Sequence, residues 1–383
     1  MTMVDDDAMY TNVNNRRLRR GHTTGTCAAA ASKAAAQALL SQRPVSSVSI
    51  VTPKGIALDL KVEDLTISED CARCAVRKDG GDDMDATHGT LVYAQVRRTG
   101  EGITIDGGEG VGRVTRKGLD QPVGNAAINR VPRSMIREAL SDVMESLGYT
   151  GGLESVISVP DGRRIAESTF NPRLGIVDGI SILGTSGIVE PMSETALVET
   201  IRTEMRMRRA EGARTLLVVP GNYGRDFSEG IEGIDPSSAV KCSNFVGEML
   251  DYAVELGVDI VLVSNLGKMV KLAGGVMNTH SKNADCRMEI LAANAAMAGA
   301  SMECVRAVMG CISTDDALEA LDREGLIPAV SERLMERVAF YMNHRTRGAI
   351  RTAAVMFSSV YGLLGRTEDA ETLLDEMRKE MIA

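Results

Sequence analysis

At 383 residues, with 44% hydrophobic and 25% charged side chains, the chain has the length of two ordinary domains and the composition of a globular protein. Aromatic residues make up 3%, tryptophan is absent and the net charge is -9, so base-stacking surfaces are scarce, a phosphate backbone is repelled, and nucleic acid is excluded as a partner. Seven scattered cysteines do not form a secreted disulfide framework, no apolar run nears the ~20 residues that span a bilayer, and residues 1–15 lack a signal-peptide pattern; free thiols, no membrane and a cytoplasmic location are expected.

In chain order, residues 1–20 are polar and end in Arg16, Arg17, Arg19 and Arg20, which reads as a loose basic arm. TCAAAASKAAAQALL at 26–40 contains no helix breaker and follows the potential cap hydroxyls of Thr23, Thr24 and Thr26, so it predicts a helix. Short β-like runs follow at 45–53, 57–65 and 103–105, and this half, residues 21–150, reads as an α+β domain. From about Gly151 apolar runs end in Gly- or Asn-rich turns: SVISVP, GISILG, TLLVVPGN and DIVLVSNLG. That alternation predicts an α/β domain over 151–383, with a mainly parallel sheet and a helical C-terminal region beyond Met288. Within that region Ser313, followed by Thr314, Asp315 and Asp316, reads as a helix start with acids in its first turn.

Several segments have the residue types of binding or catalytic sites. Gly21-His-Thr-Thr-Gly-Thr-Cys27 at a helix start offers backbone amides and hydroxyls, either as an anion seat built on Thr23, Thr24 and Thr26 or as a well-capped helix. Lys78-Asp-Gly-Gly-Asp-Asp-Met-Asp-Ala-Thr-His88 gathers four carboxylates in seven residues, a density that suits a general base or a turn whose carboxylates cap amides. Calcium-hand spacing is absent there. Gly108-Glu-Gly-Val-Gly112 resembles a nucleotide turn but does not open into a helix, which favours a role in backbone geometry. Cys71-Ala-Arg-Cys74 has no second pair, so no protein metal site is expected. The turns at Gly184 and Thr185, at Gly221, Asn222, Tyr223 and Gly224, and at Asn265 follow apparent strands, where open α/β sheets bind small ligands.

Taken together, GHTTGTCAAAASKAAA at 21–36, KDGGDDMDATHG at 78–89, GGEGVGRVT at 107–115, NPRLGIVDGISILGTSGIVEPMSE at 171–194, PGNYGRDF at 220–227, VKCSNFVGEMLDYAVELG at 240–257 and GKMVKLAGGVMNTHSKNADCRMEIL at 267–291 resemble the CbiD family of corrinoid methyltransferases nearly from end to end. The resemblance implies methylation of C-1 of a cobalt-precorrin tetrapyrrole in anaerobic cobalamin synthesis, with S-adenosylmethionine as donor and cobalt present only as part of the substrate. Asn265 departs from the family pattern, which commonly has His there.

On that reading Asp82, Asp83 and His88 are the candidate bases, and the sequence does not choose among them. Gly184, Thr185, Gly221, Asn222, Tyr223, Gly224 and Asn265 are the candidate donor-binding residues. Thr23, Thr24, Thr26, Arg113, Arg133 and Arg173 are the candidates for the substrate's carboxylate arms, for which the planar guanidinium fork is well suited. The alternative is a corrinoid-binding protein without catalysis. Oligomeric state is left open.

Overall fold

The computed structural model describes residues 6–13 and 15–382 and divides into two compact units, residues 1–193 and 194–383. The boundary therefore falls more than forty residues beyond the composition shift near Gly151. The run at 155–160 explains the difference. Strand Gly152–Ser158 lies inside the first unit's sheet, antiparallel to Leu91–Thr99 and parallel to Ile103–Gly107. Its burial alternates, with Leu153, Ser155 and Ile157 inward and Glu154, Val156 and Ser158 partly exposed, and such a pattern does not say which strands flank it. GISILG likewise belongs to the first unit, where Gly179–Ile180 pairs with Gly110–Val111.

That sheet has six strands, in the order Ser47–Val51, Ala57–Ile67, Cys71–Arg77, Leu91–Thr99, Gly152–Ser158 and Ile103–Gly107. Its members alternate buried with exposed positions, and Val48, Ile50, Leu58, Leu60, Val62, Val92, Ala94 and Val96 turn inward. Against them lies the alanine-rich helix Thr24–Ser41, which is buried around nearly its whole girth, with thirteen of its eighteen residues between Thr24 and Ala38 and also Leu39 out of water. Side chains this small allow the helix to pack on the sheet and on helix Arg130–Ser146 together. A Cβ on Gly25 would fall 2.7 Å from Pro132 Cγ. Polar contacts also cross this core, between the hydroxyls of Ser32 and Ser155 at 2.9 Å and from the Cys74 thiol to the Ala31 carbonyl at 3.2 Å.

Within residues 1–20, positions 1–5 and Asn14 lie outside the described residues. The rest is ordered as a short hairpin, Tyr10–Val13 against Arg16–Arg19. Its arginines are held by Arg17 stacking over the Tyr10 ring and by Arg19 and Arg20 pairing with Asp79 and Glu190. A basic cluster reads as solvated in sequence, but distant acidic partners fix this one.

In the second unit, strands Val240–Lys241, Thr215–Val219, Asp259–Asn265 and Thr352–Ser358 run parallel, and Gly362–Arg366 closes one edge antiparallel. The region after Met288 is helical through Thr346, and Ser313 and Asp316 make a reciprocal capping box. It is not helical throughout: TAAVMFS at 352–358 inserts beside Asp259–Asn265, and its alanines and Met gave no strand signal. Helix Ala370–Ile382 covers the face lined by Leu217, Val261 and Val355.

All seven cysteines are free, and Cys27, Cys74 and Cys242 are buried, with burial pushing each thiol up to about 12. No helix is long and apolar enough to cross a membrane, among the described residues.

The Gly108–Gly112 segment crosses two other backbones where no side chain fits. Gly110 has φ +71°, and a Cβ there would lie 1.7 Å from the Val159 carbonyl oxygen. Gly124 has φ +91°, and a Cβ there would meet nothing within 4 Å. Gly110→Ala should therefore lose on the order of 3 kcal/mol in denaturant unfolding, against ~1 to 2 kcal/mol for Gly124→Ala, where only the backbone conformation is penalised. Equal losses would show that conformation rather than crowding governs the crossing.

Candidate functional site

In the first unit three sequence motifs meet. Thr23 caps the alanine-rich helix with its hydroxyl 3.2 Å from the Thr26 amide. The turn Leu183–Gly187 closes over this start: Gly25 N–H donates to the Leu183 carbonyl at 2.8 Å, Thr23 N–H to the Gly187 carbonyl at 3.1 Å, and Thr26 Oγ1 to the same carbonyl at 2.7 Å. Thr24 Oγ1 accepts from Leu183 N–H at 3.0 Å. The hydroxyls of Thr24 and Thr26 and most first-turn donors are thus spent inside the fold, with Thr26 wholly buried, so the helix start is a capped junction rather than an open anion seat. Gly184 belongs to this junction, since a Cβ on it would stand 2.1 Å from Thr23 Oγ1.

The acidic loop joins the same junction from the other side. His22 N–H donates to the Asp79 carbonyl at 2.9 Å, and a Cβ on Gly21 would lie 2.3 Å from that oxygen. Asp82 Oδ2 accepts from Arg19 N–H at 2.7 Å, and Asp83 Oδ2 from Met192 N–H at 3.0 Å. Asp79 takes a two-pronged contact from the Arg19 guanidinium at 2.5 and 2.8 Å. Asp85 receives Lys78 Nζ at 2.8 Å and both the amide and hydroxyl of Thr87. His88 Nδ1 accepts from Gly80 N–H at 3.0 Å, and its side chain is half exposed. The four carboxylates therefore act as acceptors that fasten backbone segments. The sequence did not single out Lys78, whose ammonium is 1% exposed, nor Arg19 as the loop's clamp. Their signal was present as the first residue of the acidic motif and the third arginine of the basic cluster.

Two of the arginines expected to hold substrate are committed elsewhere. Arg133 donates to the carbonyls of Ile128, Ile105 and Ala126 and lies half-buried, while Arg113 pairs with Asp106 at 2.7 and 3.0 Å and reaches the Gly107 carbonyl at 2.6 Å. Arg173 is exposed and carries no side-chain hydrogen bond among the described residues.

In the second unit the strand order reverses beside Thr215–Val219. The chain leaves that strand toward Val240–Lys241 on one side and returns through helix Val246–Leu256 to Asp259–Asn265 on the other. A crevice opens at such a reversal beyond the carboxyl ends of the two strands. Its walls are not turns but two helix starts, those of Asn222–Ser228 capped by Gly221 and of Leu266–Ala273 capped by Asn265, which the register Leu217↔Val261 and Val218↔Leu262 makes neighbours. Gly184 and Thr185, expected in the same crevice, lie in the other unit.

Gly221 leaves open space, with nothing within 4 Å of an added Cβ, whereas Gly224 passes so close to the next strand that a Cβ would meet the Val263 carbonyl at 2.7 Å. Asn222 Oδ1 accepts from Lys241 Nζ at 2.6 Å, Tyr223 is 72% exposed, and Asn265 begins helix Leu266–Ala273 without spending its carboxamide on the cap. Lys268 donates to the Ser243 carbonyl at 3.0 Å and to Asn244 Oδ1 at 2.9 Å, and burial lowers its pKa. Two ammonium groups, two carboxamides and an exposed ring fit a small ligand that carries a carboxylate and a flat base. Among the described residues no group of three or more His, Cys, Asp or Glu is placed to hold a metal.

The Arg19 contact, opposed by partial burial and helped by the Gly81 amide, holds the Asp79 carboxyl well below the usual carboxylate range. A carboxyl with a depressed folded-state pKa contributes stability above its unfolded value near 4, and that contribution disappears as pH falls below it. Asp79→Asn should thus lower the melting temperature at pH 7 and bring the mutant and parent curves together as pH falls toward 3. A constant gap between the two curves would exclude this linkage.

The CbiD family profile matches residues 11–191 and the CbiD C-terminal domain profile residues 278–368. A protein named cobalt-precorrin-5B C(1)-methyltransferase from Ruminiclostridium cellulolyticum is 48% identical over 373 residues, 96% of this chain and 97% of its own. Proteins of the same name from Alkaliphilus metalliredigens and Salmonella typhimurium are 45% and 43% identical, each spanning 96% of this chain and 97% and 96% of their own lengths. A crystal structure of a cobalamin biosynthesis protein (cbiD) from Archaeoglobus fulgidus matches at 28% identity with a TM-score of 0.40, covering 74% of this chain and 92% of that one. Identity at this level over nearly the whole chain, with the family profile matching residues 11–191 and its C-terminal profile residues 278–368, means that the chain belongs to the CbiD family.

Proposed function

We propose that the protein transfers a methyl group from S-adenosylmethionine to C-1 of cobalt-precorrin-5B, giving cobalt-precorrin-6A in the cytoplasmic, anaerobic route to cobalamin. The observation that carries this reading is the near-full-length identity to proteins named for that methylation, which includes the acidic loop, the helix start and both walls of the crevice. The protein supplies no covalent nucleophile in such a displacement. It holds donor and acceptor in line and excludes water.

The donor is assigned to the second unit's crevice. Gly221 leaves room for close approach, Asn222 offers its carboxamide, Tyr223 can cover a flat base, and Asn265 and Lys268 face a carboxylate from the opposite wall. Bound there, the donor would supply an electrophilic methyl group. Gly224 acts by letting this helix start lie against the Asp259–Asn265 strand. The tetrapyrrole's acidic arms call for cations in the first unit, and Arg173 and the solvent-facing edge of Arg113 serve them. Thr23, Thr24, Thr26 and Arg133 contribute by fixing the surrounding backbone. Asp82, Asp83 and His88 keep the acidic loop against Arg19 and Met192.

Anaerobic incubation with the cobalt precursor and methyl-labelled donor should add one methyl mass to the corrinoid, and binding of the tetrapyrrole with no response to the donor would favour a carrier. Asn222→Ala should weaken donor binding by about 0.5 to 1.5 kcal/mol in calorimetric titration, the usual net worth of one hydrogen bond from an exposed side chain, and spare tetrapyrrole binding. Unchanged affinity would move the donor out of this crevice.

A further inference from the structure

Resting on the assignment of the methyl donor to the second unit's crevice, we propose that Lys268 selects for the carboxylate at the donor's amino-acid end and that the buried charge of Lys271 positions it to do so.

Three parallel strands place Lys268. Val240–Lys241, Thr215–Val219 and Asp259–Asn265 lie side by side in that order, so their carboxyl ends share one edge. Lys268 stands in the first turn of the helix that follows the third strand, yet its ammonium donates to the Ser243 carbonyl at 3.0 Å and to Asn244 Oδ1 at 2.9 Å, in the segment that follows the first. Its side chain therefore crosses the end of the middle strand, whose Val219 carbonyl accepts from Cys242 N–H at 2.9 Å. Just beyond that end, Gly221 leaves open space, with nothing within 4 Å of an added Cβ. Ser243 has φ +53°, a left-handed conformation that a residue with a side chain adopts only at a cost and that gathers at binding sites.

Charge sets this group apart. Lys271 lies one helical turn beyond Lys268, is 4% exposed, and donates to the Thr279 carbonyl at 3.2 Å. Thr279 Oγ1 donates in turn to Asn244 Oδ1 at 3.4 Å, so one network holds both lysines. Every acceptor in it is neutral. Neither ammonium has a carboxylate within ion-pair distance among the described residues, whereas Lys78, also buried, is matched by Asp85. Asp285, whose carboxyl responds to Lys271, is spent on Arg287 at 2.7 and 2.9 Å. A buried charge without a counter-ion costs stability, and two ammonium groups this close repel. Burial first, and then the Lys271 charge against the opposing influence of Cys242, lowers the Lys268 pKa. An arriving carboxylate relieves the cost: Lys268 exchanges neutral acceptors for a charged one, which makes the stronger hydrogen bond. Lys271 is enclosed and acts through Lys268, its charge favouring that exchange.

The test is calorimetric titration of S-adenosylhomocysteine and its decarboxylated analogue, which differ only in the carboxylate, into the parent, Lys268→Met and Lys271→Met. The parent should bind the carboxylate form on the order of 100-fold more tightly, and each variant should narrow that gap about tenfold by weakening this ligand alone. Lys271→Met removes an unmatched buried charge and should melt at or above the parent temperature. A gap that stays within threefold of the parent's in either variant would overturn the proposal, as would a Lys271→Met protein that melts several degrees lower with its gap intact. If Lys271→Met does not fold, Lys271→Gln takes its place, since it keeps a donor toward Thr279 and removes only the charge. Equal affinity of the parent for the two ligands overturns carboxylate selection and leaves the donor assignment standing. A parent that binds neither overturns the donor assignment itself.

Discussion

The first unit depends on backbone lying directly against backbone. Gly21 beside Asp79, Gly81 beside Arg19 and Gly184 beside Thr23 each leave less than 2.5 Å between a hypothetical Cβ and the neighbouring atom. Contacts this close replace side-chain packing with main-chain hydrogen bonds, which are directional and hold position closely. The partners lie far apart in the chain, as His22 and Asp79 or Thr23 and Gly187 do, so the junction exists only once the unit is assembled. The alanine-rich helix extends the same economy of bulk inward, with a sheet on one side and a second helix on another.

The second unit solves a different problem by different means. A sheet with covered faces leaves its carboxyl edge as the place where polar backbone and helix starts gather, and the strand reversal parts two of those starts. The Lys268 ammonium sits there against the Ser243 carbonyl and the Asn244 carboxamide, neutral acceptors that orient its charge, and Lys241 donates to the Asn222 carboxamide. The first unit arranges its charges in the opposite way: Lys78 and Arg19 are each matched by an aspartate.

Much of this was legible in the sequence where local chemistry decides it. The helix at 26–40 with its threonine cap, the capping box at Ser313 and the neighbouring strand ends near Val219 and Ser264 follow from propensity, spacing and Gly placement. What the sequence hid is set by partners far along the chain. Nothing local to Gly152–Ser158 says that its neighbours are Leu91–Thr99 and Ile103–Gly107, and so the unit boundary was read too early. Asp82 and Asp83 look like free carboxylates until Arg19 and Met192 are brought to them.

The buried thiols have a consequence in time rather than in space. Oxidants and alkylating reagents act on the thiolate, and Cys27, Cys74 and Cys242 reach that form only when water reaches them. Their modification is therefore paced by how often each unit opens, and Cys304, also buried with its thiol raised by burial, adds a second such clock to the second unit beside the two in the first. A molecule built this way ages chemically at the rate of its own opening, so exposure to air harms a closed copy far more slowly than it would an exposed thiol of ordinary acidity.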